Sequence, residues 1–140
     1  MTTDPKSGEQ YLVQAVAEAL PGYNVIFEAG FSFDDFVSKY ASRSNVAYIT
    51  YEGFVEGEQY ERPNSVVPDV ENYSIYLRSN SYENLSEEVR ALRQVFRNNA
   101  RFNGVPVNEK PVQRYAKVVA GFPTIFTKGF DSFEVRVVID

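Results

Sequence analysis

Residues 69–99 decide the fold, and they read DVENYSIYLRSNSYENLSEEVRALRQVFRNN. In the first part, Tyr73, Ile75 and Leu77 alternate with more polar residues, a period of two that is typical of a strand with one buried face. In the second part the apolar residues recur every three or four positions, which places them on one stripe of a helix. These helical positions are Leu85, Val89, Leu92 and Phe96. The stretch therefore predicts a strand over 69–79 and a helix over 82–98.

The composition is that of one soluble globular domain. The 140 residues are 44% hydrophobic and 24% charged, and the net charge of −5 disfavours diffuse binding to nucleic acid. No apolar run approaches the roughly 20 residues that span a bilayer. Residues 1–10 have neither the basic nor the apolar region of a signal peptide, so we expect synthesis in the cytosol. The chain has no cysteine, which excludes disulfides and thiolate metal sites.

The rest of the chain shows further helix, strand and turn signals. Ser7 and Gln10 have the spacing of a capping box at the start of a helix that ends before Pro21-Gly22. Asn103-Gly104 is a turn signal, and 121–123 (Gly-Phe-Pro) predicts a break. The predicted strands are 23–29, 45–54, 112–119, 124–127 and 133–139, and a short helix is predicted within 30–44.

This order of elements predicts an α+β fold in a single domain over 1–140. We expect a largely antiparallel or mixed sheet with the helices packed on one face. Strand 45–54 is apolar on both faces, which favours either an interior position in the sheet or one face covered by another chain. The final strand alternates most regularly, so its register is well determined, and at a sheet edge it could pair with a neighbouring chain.

The residues that usually carry catalysis are scarce. Without histidine and cysteine, the commonest general base and the readiest nucleophile are both missing. The carboxylate pairs Asp34-Asp35 and Glu87-Glu88 are typical of helix caps and solvated helix faces. No glycine-rich phosphate loop or calcium-binding loop occurs. We therefore predict a protein that is not an enzyme and has no catalytic residue, cofactor or metal site.

An acidic run is the first candidate for binding a partner. It comprises Glu52, Glu56, Glu58 and Glu61, and most of it lies in the polar stretch 55–68, which we interpret as an exposed loop or hairpin. These carboxylates either keep the loop soluble or present negative charge. Negative charge could serve an interface, or line a passage that a polyanion must cross without sticking.

A row of arginines is the second candidate, formed by Arg90, Arg93, Arg97 and Arg101. At about 100° per residue they fall within an arc of about 60°, provided that the helix reaches residue 101. Either they pair within the helix, as Glu87 with Arg90, and complement the helix dipole, or they meet an acidic surface of another subunit. Because the two candidates have opposite charge, they could meet between copies of the chain, and such head-to-tail contacts build rings.

The order of elements resembles that of the tail-terminator, or tail-completion, proteins of long-tailed bacteriophages, of the phage Mu and phage lambda types. The resemblance covers most of the chain. It rests on a helix that begins at Glu9, on the strand 72–79 followed directly by the helix at Ser86, and on a late Gly-Phe-Pro-Thr (121–124). Lys-Gly-Phe-Asp (128–131) before the final strand completes it.

The resemblance implies a structural virion protein that forms a homo-oligomeric ring, commonly of six copies. The ring would cap the tail tube and join it to the neck or head, with DNA passing through its lumen and no membrane involved. The implied partners are the tail tube protein and neck or head-completion proteins, and the implied location is the virion tail or neck, after assembly in the host cytoplasm. Two alternatives stay open: another neck, head-completion or tail-associated protein, and a small ligand-binding domain or enzyme.

Overall fold

A computed structural model describes residues 5–28, 34, 35, 38, 45–55, 69–79, 81–97, 100–107, 109–124 and 132–140. The helices are α1 (Gly8–Ala19) and α2 (Tyr82–Arg97). The strands are β1 (Asn24–Phe27), β2 (Val46–Val55), β3 (Val70–Arg78), β4 (Arg101–Val107), β5 (Lys110–Thr124) and β6 (Ser132–Ile139). Of the loop predicted over 55–68, Val55 is the last residue of β2, and 56–68 lie outside the described residues. The turn at 128–129 and most of the short helix predicted within 30–44 also lie outside them.

The strands form one sheet in the order β1-β2-β3-β6-β5-β4. β1 is parallel to β2, and every other neighbouring pair is antiparallel. The sheet is therefore mixed, and the α+β prediction is confirmed. β6 lies in the middle of the sheet between β3 and β5, so the final strand is not an edge strand and the condition for its pairing with a neighbouring chain is not met.

Both helices pack on one face of the sheet, which we call the helix face. The buried cluster joins α1, α2 and the helix-facing residues of the strands. Its fully buried members include Leu12, Val16, Leu20, Leu85, Leu92, Ile49, Ile75, Leu77 and Ile139. Because each such side chain contributes about 1.5–3 kcal/mol on burial, this face supplies most of the hydrophobic stabilisation.

Side-chain caps determine where the helices begin. The Ser7 hydroxyl accepts a hydrogen bond from the Gln10 backbone N–H, and the Gln10 side chain accepts one from the Ser7 N–H, as the capping box predicts. At α2 the Ser81 hydroxyl accepts from the Asn84 N–H. These bonds satisfy backbone donors that have no partner within the helix.

The central strands are buried on both faces. In β2, residues 46–50 are fully buried, as expected for an interior strand. In β3, Ser74 is 2% exposed and Tyr76 is 6% exposed, although both point away from the helices. The prediction of one buried face for β3 is therefore wrong over its second half. The period-2 pattern failed because Ser74 and Tyr76 are polar residues in a buried position.

Two predicted interruptions are continuous strand. Asn103 and Gly104 lie within β4, opposite Gln113 and Val112, and 121–123 lies within β5, paired with β6. Position 104 needs a glycine because the Arg114 side chain packs closely against it, and a Cβ there would lie 2.5 Å from the Arg114 Cγ. Pro123 is tolerated because, among the described residues, no strand pairs with β5 on its other side at that level. Thr124 ends β5, and the rest of the short strand predicted over 124–127 lies outside the described residues.

Candidate interface

Three of the four predicted arginines form one exposed row on α2. Arg90, Arg93 and Arg97 are exposed, and we call them the α2 arginines. Within the described part of the chain the ion pairs join Arg114 to Glu71 and Arg136 to Glu134, and none involves the α2 arginines. The predicted pairing of Glu87 with Arg90 is thus absent there. The α2 arginines are positive groups that no described carboxylate neutralises.

Arg101 does not belong to this row. α2 ends at Arg97, and Arg101 is the first residue of β4, where it pairs with Tyr115 of β5. The condition for a row of four arginines, that the helix reaches residue 101, is not met, because the backbone around Ala100 bonds to β5 instead: the Ala116 N–H donates to the Ala100 carbonyl at 2.8 Å. Arg101 is exposed and borders a different cleft of about 560 Å³ between α1 and β4.

A groove of about 250 Å³ lies between α2 and β5, and we call it the α2–β5 groove. Val89 and Arg93 form its α2 side, and Val118 and Gly121 are among its β5 residues. The groove is therefore apolar along its floor and positively charged at its rim. Its chemistry suits a segment that combines apolar and acidic side chains.

The β5 side of this groove is an open backbone edge. β4 pairs with β5 only as far as Tyr115, and among the described residues no strand pairs with 117–124 on that side. We call 117–124 the β5 edge. The register with β6 shifts between Val118 and Ala120, a bulge that leaves Val119 52% exposed. An exposed, partly apolar edge of this kind is a place where another chain can add.

The end of β2 is a second open edge, on the opposite side of the sheet. β1 pairs with β2 only as far as Ile49, so residues 50–55 have no described strand on that side. We call residues 52–55 the β2 tip. Glu52 is exposed, Phe54 is 56% exposed and Val55 is 61% exposed. Glu56, Glu58 and Glu61, the rest of the predicted acidic run, lie outside the described residues.

Gly53 gives the β2 tip its shape. Its φ of +109° is a backbone conformation that other residues rarely adopt, and the register with β3 shifts between Tyr51 and Gly53. A bulge of this kind bends a strand and redirects the side chains that follow it. Phe54 and Val55 follow the bulge and resume pairing with β3, opposite Glu71 and Val70.

The face of the sheet away from the helices carries a polar network that the sequence patterns did not reveal. The Ser74 hydroxyl donates to Glu134 Oε2 at 3.1 Å, and Arg136 Nε donates to the same oxygen at 2.8 Å. The Arg136 guanidinium also lies 5.0 Å from the centre of the Phe122 ring. Glu134 is 7% exposed. The one sequence signal for this network was Glu134 itself, a glutamate at a central position of a regular strand.

Tyr76 and Glu52 extend this network around a groove of about 440 Å³. Burial, together with the carboxylates of Glu134 and Glu52, raises the pKa of the Tyr76 phenol to about 12. The phenol therefore stays protonated at neutral pH. The groove offers carboxylates, a guanidinium and hydroxyls, which are groups that hydrogen-bond a small polar molecule.

A second cluster ties β3 to β5 near the start of α1. The Tyr73 hydroxyl donates to Glu71 Oε1 at 3.1 Å, and Arg114 forms an ion pair with Glu71 Oε2 at 3.4 Å. Arg114 also donates to the carbonyl oxygens of Asp69 and Ile139. Burial and the Glu71 carboxylate raise the pKa of Tyr73 well above its usual value. The Arg114 guanidinium uses its donors on backbone carbonyls and on the Glu71 carboxylate, so this cluster holds β3, β5 and β6 together.

The acidic pairs that could have supported catalysis do not converge on a site among the described residues. Asp34 and Asp35 are exposed, and Glu87 is exposed on α2. Within the described residues, no group of three or more histidine, cysteine or acidic side chains is arranged to hold a metal ion. The same residues contain no helix that is long and apolar enough to cross a membrane.

Comparison of the chain with protein-family models and with curated proteins finds no match.

Proposed function

We propose that this protein is a structural virion protein of the tail-terminator type, which assembles as a ring on the end of a phage tail tube. The observation that carries the proposal is the presence of two exposed, partly apolar strand edges in one sheet, at the ends of β2 and β5, where among the described residues no further strand pairs. One is the β2 tip, with exposed Glu52, Phe54 and Val55. The other is the β5 edge, beside the α2–β5 groove and the α2 arginines.

The resemblance in element order supports the same proposal. The described residues contain the early helix and the strand–helix unit β3–α2, and the final strand is β6. In this proposal the ring has about six copies, as the resemblance implies, and it binds the tube protein on one face and neck or head-completion proteins on the other. The negative net charge favours passage of DNA through a lumen without binding, because like charges repel. The protein would reside in the virion tail or neck.

Assembly with the tail tube protein tests this function. Size-exclusion chromatography with light scattering measures the mass of the chain alone, and negative-stain microscopy shows whether rings occur and whether they cap tube ends. We expect rings, and tubes of limited length when the protein is added during tube growth. A monomer that leaves tube growth unchanged would contradict the proposal. Pull-down against separated head and tail proteins distinguishes a terminator from another neck, head-completion or tail-associated protein.

The groove around Tyr76 and Glu134 favours a second candidate, a small ligand-binding domain. The groove of about 440 Å³ has the size of a small-molecule site and several convergent polar groups. Thermal-shift screening with a panel of small polar metabolites tests it. A stabilising ligand whose effect disappears in Glu134→Gln would support binding there, and an absence of stabilising ligands would leave the network a structural role.

A further inference from the structure

We infer that the groove around Tyr76 and Glu134, which we call the Tyr76 groove, binds a small molecule with a protonated amine. The ammonium group of this ligand donates hydrogen bonds to the carboxylates of Glu134 and Glu52. The inference rests on the second candidate function, since it names the class of ligand for the same groove, and it is independent of ring formation. It draws on the hydrogen bonds of Glu134, the charges that line the groove, and an apolar wall beside them.

The Glu134 carboxylate bonds through only one of its two oxygens. The Ser74 hydroxyl and Arg136 Nε both donate to Oε2, and within the described part of the chain no donor bonds to Oε1. Glu134 is 7% exposed and lines the groove. A polar atom that is largely removed from water and has no hydrogen-bond partner costs free energy. A ligand in the groove that donates to Oε1 removes this cost.

The charges that line the groove do not balance. Among the described residues they are two carboxylates, Glu52 and Glu134, and one guanidinium, Arg136, so one negative charge is in excess. Arg136 is paired with Glu134, whereas Glu52 is exposed and forms no ion pair with a described residue. Both carboxylates raise the pKa of the Tyr76 phenol, so their negative potential extends to it. A ligand with a single positive charge therefore neutralises the groove, and an anion is repelled.

The donor set fits an ammonium group better than a metal ion. Calcium takes about six to eight oxygen ligands and magnesium about six. Within the described residues, no group of three or more acidic side chains is arranged to hold a metal ion, and Arg136 already occupies Glu134 Oε2 at 2.8 Å. An ammonium group has three N–H donors. These suffice for a bond to Glu134 Oε1 and a bond to Glu52.

An apolar wall selects the body of the ligand. Val119 and Val138 line the groove, and Val119 is 52% exposed. A hydrocarbon or aromatic group beside the amine would cover Val119 and remove apolar surface from water. The groove of about 440 Å³ has room for such a molecule. The ligand class is therefore a small primary amine with a short apolar body.

Three probes of similar size test the inference. Phenethylamine is positive at neutral pH, phenethyl alcohol is neutral and phenylacetate is negative. Amide chemical shifts in NMR measure the dissociation constants and map the binding site. Phenethylamine should shift the amides of Ser74, Tyr76 and Glu134. It should bind about tenfold more tightly than phenethyl alcohol, because its hydrogen bonds are made between charged groups. Phenylacetate should bind most weakly.

Two variants remove the carboxylate charges one at a time. Glu134→Gln should weaken the binding of phenethylamine about tenfold. Glu52→Gln should weaken it about threefold, because an exposed carboxylate contributes less. Glu52 is exposed, so this variant keeps the test decisive if Glu134→Gln unfolds. The matched control is Glu83→Gln, the same change at an exposed position on the first turn of α2, and it should bind as the wild type does.

The outcomes separate the inference from the candidate function on which it rests. If phenethyl alcohol or phenylacetate binds at the same amides as tightly as phenethylamine, the groove is a ligand site and the amine class is wrong. If Glu52→Gln and Glu134→Gln leave the binding of phenethylamine unchanged, the inference is also wrong. If none of the three probes shifts these amides, the inference fails, and the thermal-shift screen decides the candidate function on its own.

Discussion

Arg136 Nε donates a hydrogen bond to Glu134 Oε2 at 2.8 Å, although the two residues lie only two positions apart on β6. They share one face of the strand because side chains alternate. Glu134 is nearly buried, whereas the Arg136 side chain is 55% exposed. The arginine therefore reaches over from the surface to neutralise a carboxylate that the sheet has removed from water. This pair, with Ser74, is the polar centre of the face of the sheet away from the helices.

Removing the Glu134 carboxylate should destabilise the protein. Glu134→Ala leaves the Ser74 hydroxyl and the Arg136 guanidinium without their shared acceptor, and a buried polar group left without a partner costs about 1–3 kcal/mol. Urea denaturation measures the change in the free energy of unfolding. Glu87→Ala, at an exposed position of α2, is the control and should change stability by less than about 0.5 kcal/mol. Equal effects of the two changes would contradict the role of the network.

The Tyr76 phenol should titrate late, with a pKa of about 12. Alkaline titration followed by phenolate absorbance should show a late step. Tyr76→Phe should reduce the amplitude of this step by the absorbance of one of the ten tyrosines. Glu52→Gln should shift this step to lower pH, because the Glu52 carboxylate disfavours the phenolate. Glu83→Gln, on the first turn of α2, should not shift it.

The same group determines a dependence of stability on pH. The pKa of Tyr76 is higher in the folded chain than in the unfolded chain, so the folded state holds the proton more tightly. The contribution of Tyr76 to the free energy of unfolding is fully present below its pKa in the unfolded chain, about 10. This contribution is lost as the pH rises through the pKa in the folded chain, about 12. The free energy of unfolding should fall over this interval, and it should fall less in Tyr76→Phe. An identical decline in both proteins would show that other groups cause it.

Gly8 should not tolerate a side chain. A Cβ there would lie 2.7 Å from the Tyr73 hydroxyl and 2.9 Å from Ile139 Cδ1, where α1 begins against β3 and β6. Although alanine favours a helix more than glycine, crowding in a packed site costs about 1–3 kcal/mol, so Gly8→Ala should destabilise. Gly22→Ala is the matched control, because a Cβ added at Gly22 would have nothing within 4 Å. Thermal denaturation of the two variants should give a lower melting temperature for Gly8→Ala alone.

The capping box of α1 should contribute measurably to stability. Ser7→Ala removes the hydroxyl that accepts from the Gln10 N–H, and the loss of such a cap costs about 1 kcal/mol. Ser86→Ala, at an exposed position inside α2, is the control and should be neutral or slightly stabilising because alanine is the better helix former. Chemical denaturation compares the two. A cost in Ser86→Ala that equals that of Ser7→Ala would argue against the cap.

Local patterns in the sequence determined the elements whose residues interact mainly with near neighbours in the chain. The spacing of Leu85, Val89, Leu92 and Phe96 predicted α2, and its observed end is within one residue of the prediction. The capping box predicted the start of α1. Helical periodicity and capping arise within a few residues, so they are visible without the fold.

The tertiary structure alone decided the features that depend on distant pairing. Asn103-Gly104 and 121–123 are turn signals locally, but pairing of β4 with β5 and of β5 with β6 holds them extended. The position of Arg101 on a strand and the burial of Glu134 follow from the same pairing. So do the open stretches at the ends of β2 and β5, because which strand edges stay open depends on the order and lengths of neighbouring strands, and no local pattern encodes that.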